Sequence, residues 1–120
     1  VNMEGDKAAL RDGSIFEYCK LNDMVIQAWS VLQFGYFKGN FVGNEKFQQL
    51  NQVLNRIALE YGVSPSAIAI AWVLRYPAKM QAVVGTTNPK HLIEASQASH
   101  VNLTRKEWYE IYLAAGNDLP

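Results

Sequence analysis

The residues whose types and spacing offer chemistry sit together late in the chain: Gly85-Thr86-Thr87, followed by Asn88-Pro89-Lys90-His91. Asn88 is a good N-cap residue, and Pro89 falls where proline is favoured, at the first helical position. A helix N-terminus carries unpaired N–H groups and a partial positive charge, so a small polar turn in front of one can hold a phosphate. Lys90 and His91, in the first turn, are positioned to add positive charge. The same pattern equally describes an ordinary βα turn. Three other residues are candidates for chemistry by type. Cys19 reads as a small buried hydrophobe rather than a reactive thiol. His100 reads as a surface residue. Tyr36, in a long aromatic loop, is a candidate wall of a substrate site, with nothing to support it as a proton donor.

The turn needs elements to position it. Ala82-Val83-Val84 reads as a buried strand leading into it, and Leu92, Ile93 and Ala95 give the helix after it an apolar side. Upstream, residues 1–13 are polar, aperiodic and loop-like. Ser14-Ile-Phe-Glu17 matches a capping box for a short helix ending near Asn22-Asp23. Met24 to Trp29 is β-branched and nearly continuous, as in a strand buried on both faces. Ser30 to Gly43 is a long connection carrying Phe34, Tyr36, Phe37 and Phe41. A loop of that length in a compact domain is usually functional or disordered, and its aromatic content argues against disorder; packing onto a neighbouring surface is the alternative.

Asn44 is expected to cap a helix that ends at Gly62, with Phe47, Leu50, Val53, Leu54, Ile57, Ala58 and Tyr61 on one buried stripe. Ser64-Pro65 opens another helix, apolar on all sides from Ala67 to Leu74 and stopped ahead of Pro77. Thr104-Arg-Lys-Glu107 is a second capping box, with Leu103 and Trp108 placed as a hydrophobic staple. Trp108, Ile111, Tyr112 and Ala115 form the expected stripe, and Gly116 the stop. The order is α, β, two helices, β, α, α. Strands separated by helical crossovers belong to a parallel sheet. Two such strands leave both sheet edges unpaired, so the chain reads as part of a larger α/β protein. It starts at Val1 rather than at methionine, as a piece of a longer chain would.

Composition narrows the classes. The chain has 120 residues, 49% of them hydrophobic and 18% charged, enough for a globular core. Its formal net charge is zero, which steers it neither to nucleic acid nor to an anionic membrane. No apolar run approaches the roughly 20 residues of a membrane span. The single cysteine allows no intrachain disulfide and no cysteine-based zinc site, which fits a reducing cytoplasm.

Three stretches, Ile26-Gln-Ala-Trp-Ser30, Ala69-Ile-Ala-Trp-Val-Leu-Arg75 and Val83-Val-Gly-Thr-Thr-Asn-Pro89, resemble the C-terminal part of an aldo-keto reductase. Leu103-Thr-Arg-Lys-Glu-Trp-Tyr109 and Ala114-Ala-Gly-Asn117 are similar to one bacterial branch of that family. The resemblance covers nearly the whole chain in order. It implies an α/β fold, the C-terminal fragment of a (β/α)8 TIM barrel with its last two parallel strands, and a single partial domain over residues 1–120. It implies NADPH as cofactor and an aldehyde or ketone as the substrate of the complete barrel. By that resemblance Trp29 stacks on the nicotinamide, and Ser30 and Leu32 lie near the ribose and pyrophosphate. Gly85, Thr86 and Thr87 approach the adenosine 2′-phosphate, with Lys90 and His91 beside it and Glu94 near the adenine. Such barrels commonly place a phosphate site after strands seven and eight.

Two departures stand out. His91 occupies a place where the family often has an arginine, and an imidazole is a weaker phosphate partner than a guanidinium fork. Ala95 replaces a frequent asparagine. The family's catalytic Asp, Tyr, Lys and His would all precede Val1, so no catalytic residue is assigned and the chain alone is expected to be inactive. A different class of function competes with this one: a non-catalytic nucleotide-binding unit that covers its open strand edges by self-association.

Overall fold

A computed structural model describes residues 13–35 and 38–119. The expected loop over residues 1–13 falls outside it except for Gly13, and Tyr36 and Phe37 also lie outside the described residues. Helix α1 spans Ser14–Leu21 and leads through a tight turn to strand β1, Ile26–Trp29. A short 3-10 turn, Glu45–Phe47, precedes α2, Gln48–Tyr61, and α3 spans Pro65–Leu74. Strand β2 is Met80–Val83, α4 is Pro89–Ser96 and α5 is Arg105–Ala114. The two strands pair in parallel, Ile26 opposite Met80 through Trp29 opposite Val83. This is the expected element order.

Most helix ends follow their local chemistry. Asn44, Ser64, Asn88 and Thr104 each accept a hydrogen bond from a first-turn N–H with their side chains. Gly62 ends α2 in the left-handed conformation at φ 66°, which a residue without Cβ adopts at no steric cost. The first helix departs from expectation. Gly13, at φ 72°, is the N-cap and its carbonyl takes the first N–H groups, so the Ser14–Glu17 box is not the cap in use. A glycine able to turn left-handed moves the helix start one residue upstream, and Glu17 faces Lys20 instead at 3.7 Å.

The core is built around α3. Ala67, Ile68, Ala69, Ile70 and Ala71 are all buried, as a helix apolar on every side requires. Leu50, Leu54, Ile57 and Ala58 of α2, Ala95 of α4 and Ile111 of α5 join it, with Val31, Ala98, Val101 and Leu103 from the connections. Cys19 is buried and His100 exposed, as read from the sequence. Three expectations about burial are overturned. The strands are buried on one face only: Ala28 and Ala82 pack on the core, whereas Gln27, Trp29, Gln81 and Val83 are exposed, because the helices cover a single side. On the open side Gln27 Nε2 donates to Gln81 Oε1 at 3.1 Å. In α4 only Ala95 reaches the core; Leu92 and Ile93 point outward. In α5, Ala114 takes the inward place expected for Ala115.

Helix α5 is held against α2 and α3 by two polar features. The indoles of Trp72 and Trp108 stack at 4.7 Å, and each N–H donates to the other residue's backbone carbonyl, at 3.0 and 3.1 Å. Glu107 closes the capping box: its carboxylate accepts from the Thr104 N–H at 2.6 Å and hydroxyl at 2.8 Å, and from the Tyr61 hydroxyl at 3.0 Å. Partial burial alone would push the Glu107 pKa up. The Thr104 and Tyr61 hydrogen bonds and the Arg56 charge outweigh it and hold the carboxyl below its usual range. Tyr61 is pushed up, first by burial and then by its bond to Glu107.

A carboxylate whose folded pKa lies below its unfolded value contributes stability that is complete above the unfolded pKa. That contribution is lost as pH falls through the folded pKa. Glu107→Gln should therefore lower stability at neutral pH and flatten the acid limb of the stability profile, as read by chemical denaturation at a series of pH values.

Candidate functional site

The C-terminal ends of β1 and β2 open into a cleft of about 490 Å³. Its walls come from the β1 exit (Trp29, Ser30, Leu32), the β2 exit (Val84, Gly85, Thr86) and α4 (His91, Glu94). Parallel pairing makes this convergence unavoidable, because both strands run the same way and deliver their following turns to one end. Seven of the residues singled out in the sequence, Trp29, Ser30, Leu32, Gly85, Thr86, His91 and Glu94, line it. Thr87 and Lys90 do not; both are exposed beside it.

Backbone geometry shapes the cleft at both exits. Ser30 sits at φ 54°, a left-handed conformation uncommon outside glycine, and turns the chain sharply off β1. The Trp29 ring remains 57% exposed on the open side of the sheet, available for stacking. At the other exit a Cβ on Gly85 would meet nothing within 4 Å. The backbone there is open to a ligand. Thr86 Oγ1 accepts from the Asn88 N–H at 3.1 Å, and Asn88 Oδ1 accepts from the Lys90 N–H at 3.0 Å. The first turn of α4 is thus partly capped by its own asparagine. Lys90 Nζ lies 3.9 Å from Glu94 Oε1, at the far end of an i,i+4 pair.

The structure adds wall residues that the sequence did not single out. Gln33, Gly39 and Asn40 come from the long loop, and Ser66 from the first turn of α3. The loop folds back as a short antiparallel ribbon, with Gln33 bridged to Asn40 and the Phe34 N–H donating to the Gly39 carbonyl at 3.2 Å. Its described aromatics pack on Phe47, Phe34 at 5.0 Å and Phe41 at 6.4 Å between ring centres. Packing, the alternative reading of that loop, and a role in the cleft wall therefore coexist. The Gly39-Asn40 pair, a turn signal flanked by aromatics, was the available clue.

The loop is anchored by Asn51, which the sequence stripe passed over. Its amide nitrogen approaches the carbonyls of Phe41, Asn44 and Phe47 at 2.9, 3.1 and 3.0 Å, and its oxygen accepts from the Gly43 N–H at 2.8 Å. Two amide protons serve three acceptors, so one bond is shared. A second cavity, about 270 Å³, lies between this loop, α2, α3 and α5; Gln33 apart, its walls are apolar and offer packing rather than chemistry. Among the described residues no group of three or more His, Cys, Asp or Glu side chains could hold a metal ion. No single helix among them is long and apolar enough to cross a membrane.

The sequence model of the aldo/keto reductase family matches residues 9–114. The chain belongs to the aldo/keto reductase family. It is 40% identical over 94 residues to a 6-dehydroglucose reductase of Agrobacterium fabrum, 77% of this chain. It is 32% identical over 95 residues to the oxidoreductase YdhF of Escherichia coli, 78% of this chain. In each case it spans 30% of the relative's length. A solved structure of a thermostable aldo-keto reductase, in complex with the inhibitor epalrestat, superposes with a TM-score of 0.67 at 26% identity. That match covers 91% of this chain and 36% of the solved one. The fold is accordingly an α/β portion of an aldo-keto reductase barrel, as the sequence resemblance implied. Members of the family are oxidoreductases that generally use NADP(H).

Asn51→Ala would strip the partners from several part-buried backbone groups at once. The expected cost is about 3 kcal/mol of stability. Amide exchange should accelerate at Gly43 before it does in α3, which NMR-detected hydrogen exchange would show.

Proposed function

We propose that this chain forms the dinucleotide-binding portion of an NADPH-dependent reductase of aldehydes or ketones. The observation that carries the reading is the convergence of Trp29, Ser30, Leu32, Gly85, Thr86, His91 and Glu94 on one cleft at the strands' C-terminal ends. The residues fit the group: an exposed indole, a sharp turn beside it, and an unobstructed glycine backbone at the opposite wall. When bound, NADPH supplies the hydride for carbonyl reduction. The chain's own residues do the positioning. Trp29 offers a flat face for the nicotinamide, while Ser30 and Leu32 border the ribose and pyrophosphate. Gly85, Thr86 and Thr87 border the 2′-phosphate, Lys90 and His91 contribute charge at its edge, and Glu94 accepts from the adenine. The acid–base chemistry is not assigned to this chain, which taken alone binds without turning over.

Titrating the chain with NADPH while following tryptophan fluorescence tests this. Saturable quenching abolished by Trp29→Phe is expected. Gly85→Ala is the sharper variant, because the free protein has room for the added methyl. Unchanged stability with affinity reduced about tenfold, worth about 1.4 kcal/mol, is the expected result. No response at millimolar NADPH, or full affinity in both variants, would sink the reading.

A second reading has its own observation. The segments on either side of the strands in the chain expose large apolar side chains: Ile15, Tyr18, Leu21, Met24 and Val25 ahead of β1, and Leu92 and Ile93 in α4 after β2. Apolar surface of that extent, next to unpaired strand edges, favours association. On this reading the chain self-associates through those segments. Sedimentation velocity should show a concentration-dependent oligomer, and a stable folded monomer at every concentration would refute it.

A further inference from the structure

We infer that the cleft between the α3–β2 joint and the start of α5 binds a small aromatic carboxylate. It lies at the opposite end of the strands from the nucleotide cleft, since Tyr76 and Pro77 precede β2 whereas Gly85 and Thr86 come after it. Its volume is about 300 Å³, and it is lined by Arg75, Tyr76, Pro77, Arg105, Trp108 and Tyr109. The site owes nothing to the NADPH reading and stands or falls separately.

Its walls are held in place before any ligand arrives. Arg75 Nε donates to the Leu103 carbonyl at 3.1 Å, which fixes the plane of that guanidinium. Tyr76 packs on Phe16 of α1 at 4.8 Å between ring centres. Trp108 is locked by its paired hydrogen bonds with Trp72. The Arg105 guanidinium sits 5.7 Å from the centre of the Tyr109 ring. Side chains already ordered lower the entropic cost of binding.

The charge is one-sided. Arg75 and Arg105 line the cleft, and no carboxylate does among the described residues. Neither arginine takes part in an ion pair among the described residues, while Lys20, Arg56, Lys79 and Lys90 each do. Guanidinium forks match the planar geometry of a carboxylate, and the phenol rings of Tyr76 and Tyr109 offer faces to a flat ring, while the Trp108 indole, stacked between Trp72 and Tyr112, presents its edge. A bare inorganic anion would satisfy the charge and leave the aromatic walls uncovered. An aromatic carboxylate satisfies both, and the cavity is at the small end of the range that ligand sites occupy.

The test is a titration of the chain with benzoate, followed through the indole N–H signals in two-dimensional NMR. The Trp108 signal should shift and saturate while that of Trp29 stays put. Arg105→Gln, at a side chain that makes no hydrogen bond among the described residues, should bind benzoate about tenfold more weakly with its spectrum otherwise unchanged. Benzyl alcohol, with the ring and no charge, should bind correspondingly weakly. Failure to saturate at tens of millimolar benzoate, or equal affinity in Arg105→Gln, would overturn the site. Inorganic phosphate binding as tightly as benzoate would overturn the aromatic assignment.

Discussion

The rest of the structure depends on one constraint: α3 must be enclosed. Five consecutive residues, Ala67 to Ala71, are buried, so no side of that stretch can face water. Strand β2, helices α2 and α4, and the short turn after α4 all contact α3. Burying this apolar run is the dominant favourable term available to a chain of this size. It also fixes the layout. With α2 and α3 in the crossover between two parallel strands, their C-terminal exits lie side by side, and the candidate cleft is built from the turns that leave those two exits.

Polar contacts then set the finer positions. Asn51 is the clearest case, since one side chain ends the long loop, starts α2 and holds the ribbon that carries Gly39 and Asn40 to the cleft. The reciprocal bonds between Trp72 and Trp108 do the same for α5, and the Thr104–Glu107–Tyr61 cluster ties its first turn to the end of α2. Trp108, held by Trp72, thereby sets one wall of the arginine-lined cleft, so packing of the C-terminal helix and the shape of that cleft are a single problem.

The open face of the sheet has a consistent physical meaning. Gln27 and Gln81 pair across it, while Trp29 and Val83 stay exposed beyond them. In a closed barrel that face turns inward and is filled by side chains from other strands. Met24 to Trp29 is therefore apolar enough for two buried faces, yet only one is covered by the helices described. The outward Leu92 and Ile93 obey the same logic: neither answers to α3, and Ala95 alone does.

Much was legible in the residues because it is local. Asn44, Ser64-Pro65, Asn88-Pro89 and Thr104–Glu107 marked four helix starts, since a cap bonds within its own turn. Period and length separated strands from helices, and crossover order demanded parallel pairing. The motif stretches carried the family and, through it, most of the cleft. The hidden features depend on distance across the fold. Gly13 displaced the Ser14 cap by adopting a left-handed turn, Asn51 gathered backbone groups from 4 to 10 residues away, and Ser66 reached the cleft from a helix with no site signal. Which face of a strand is covered, and which of two adjacent alanines at the end of α5 is the more buried, is decided by where helices dock. Docking is settled by the summed burial of residues far apart in the chain, and local sequence does not encode that sum.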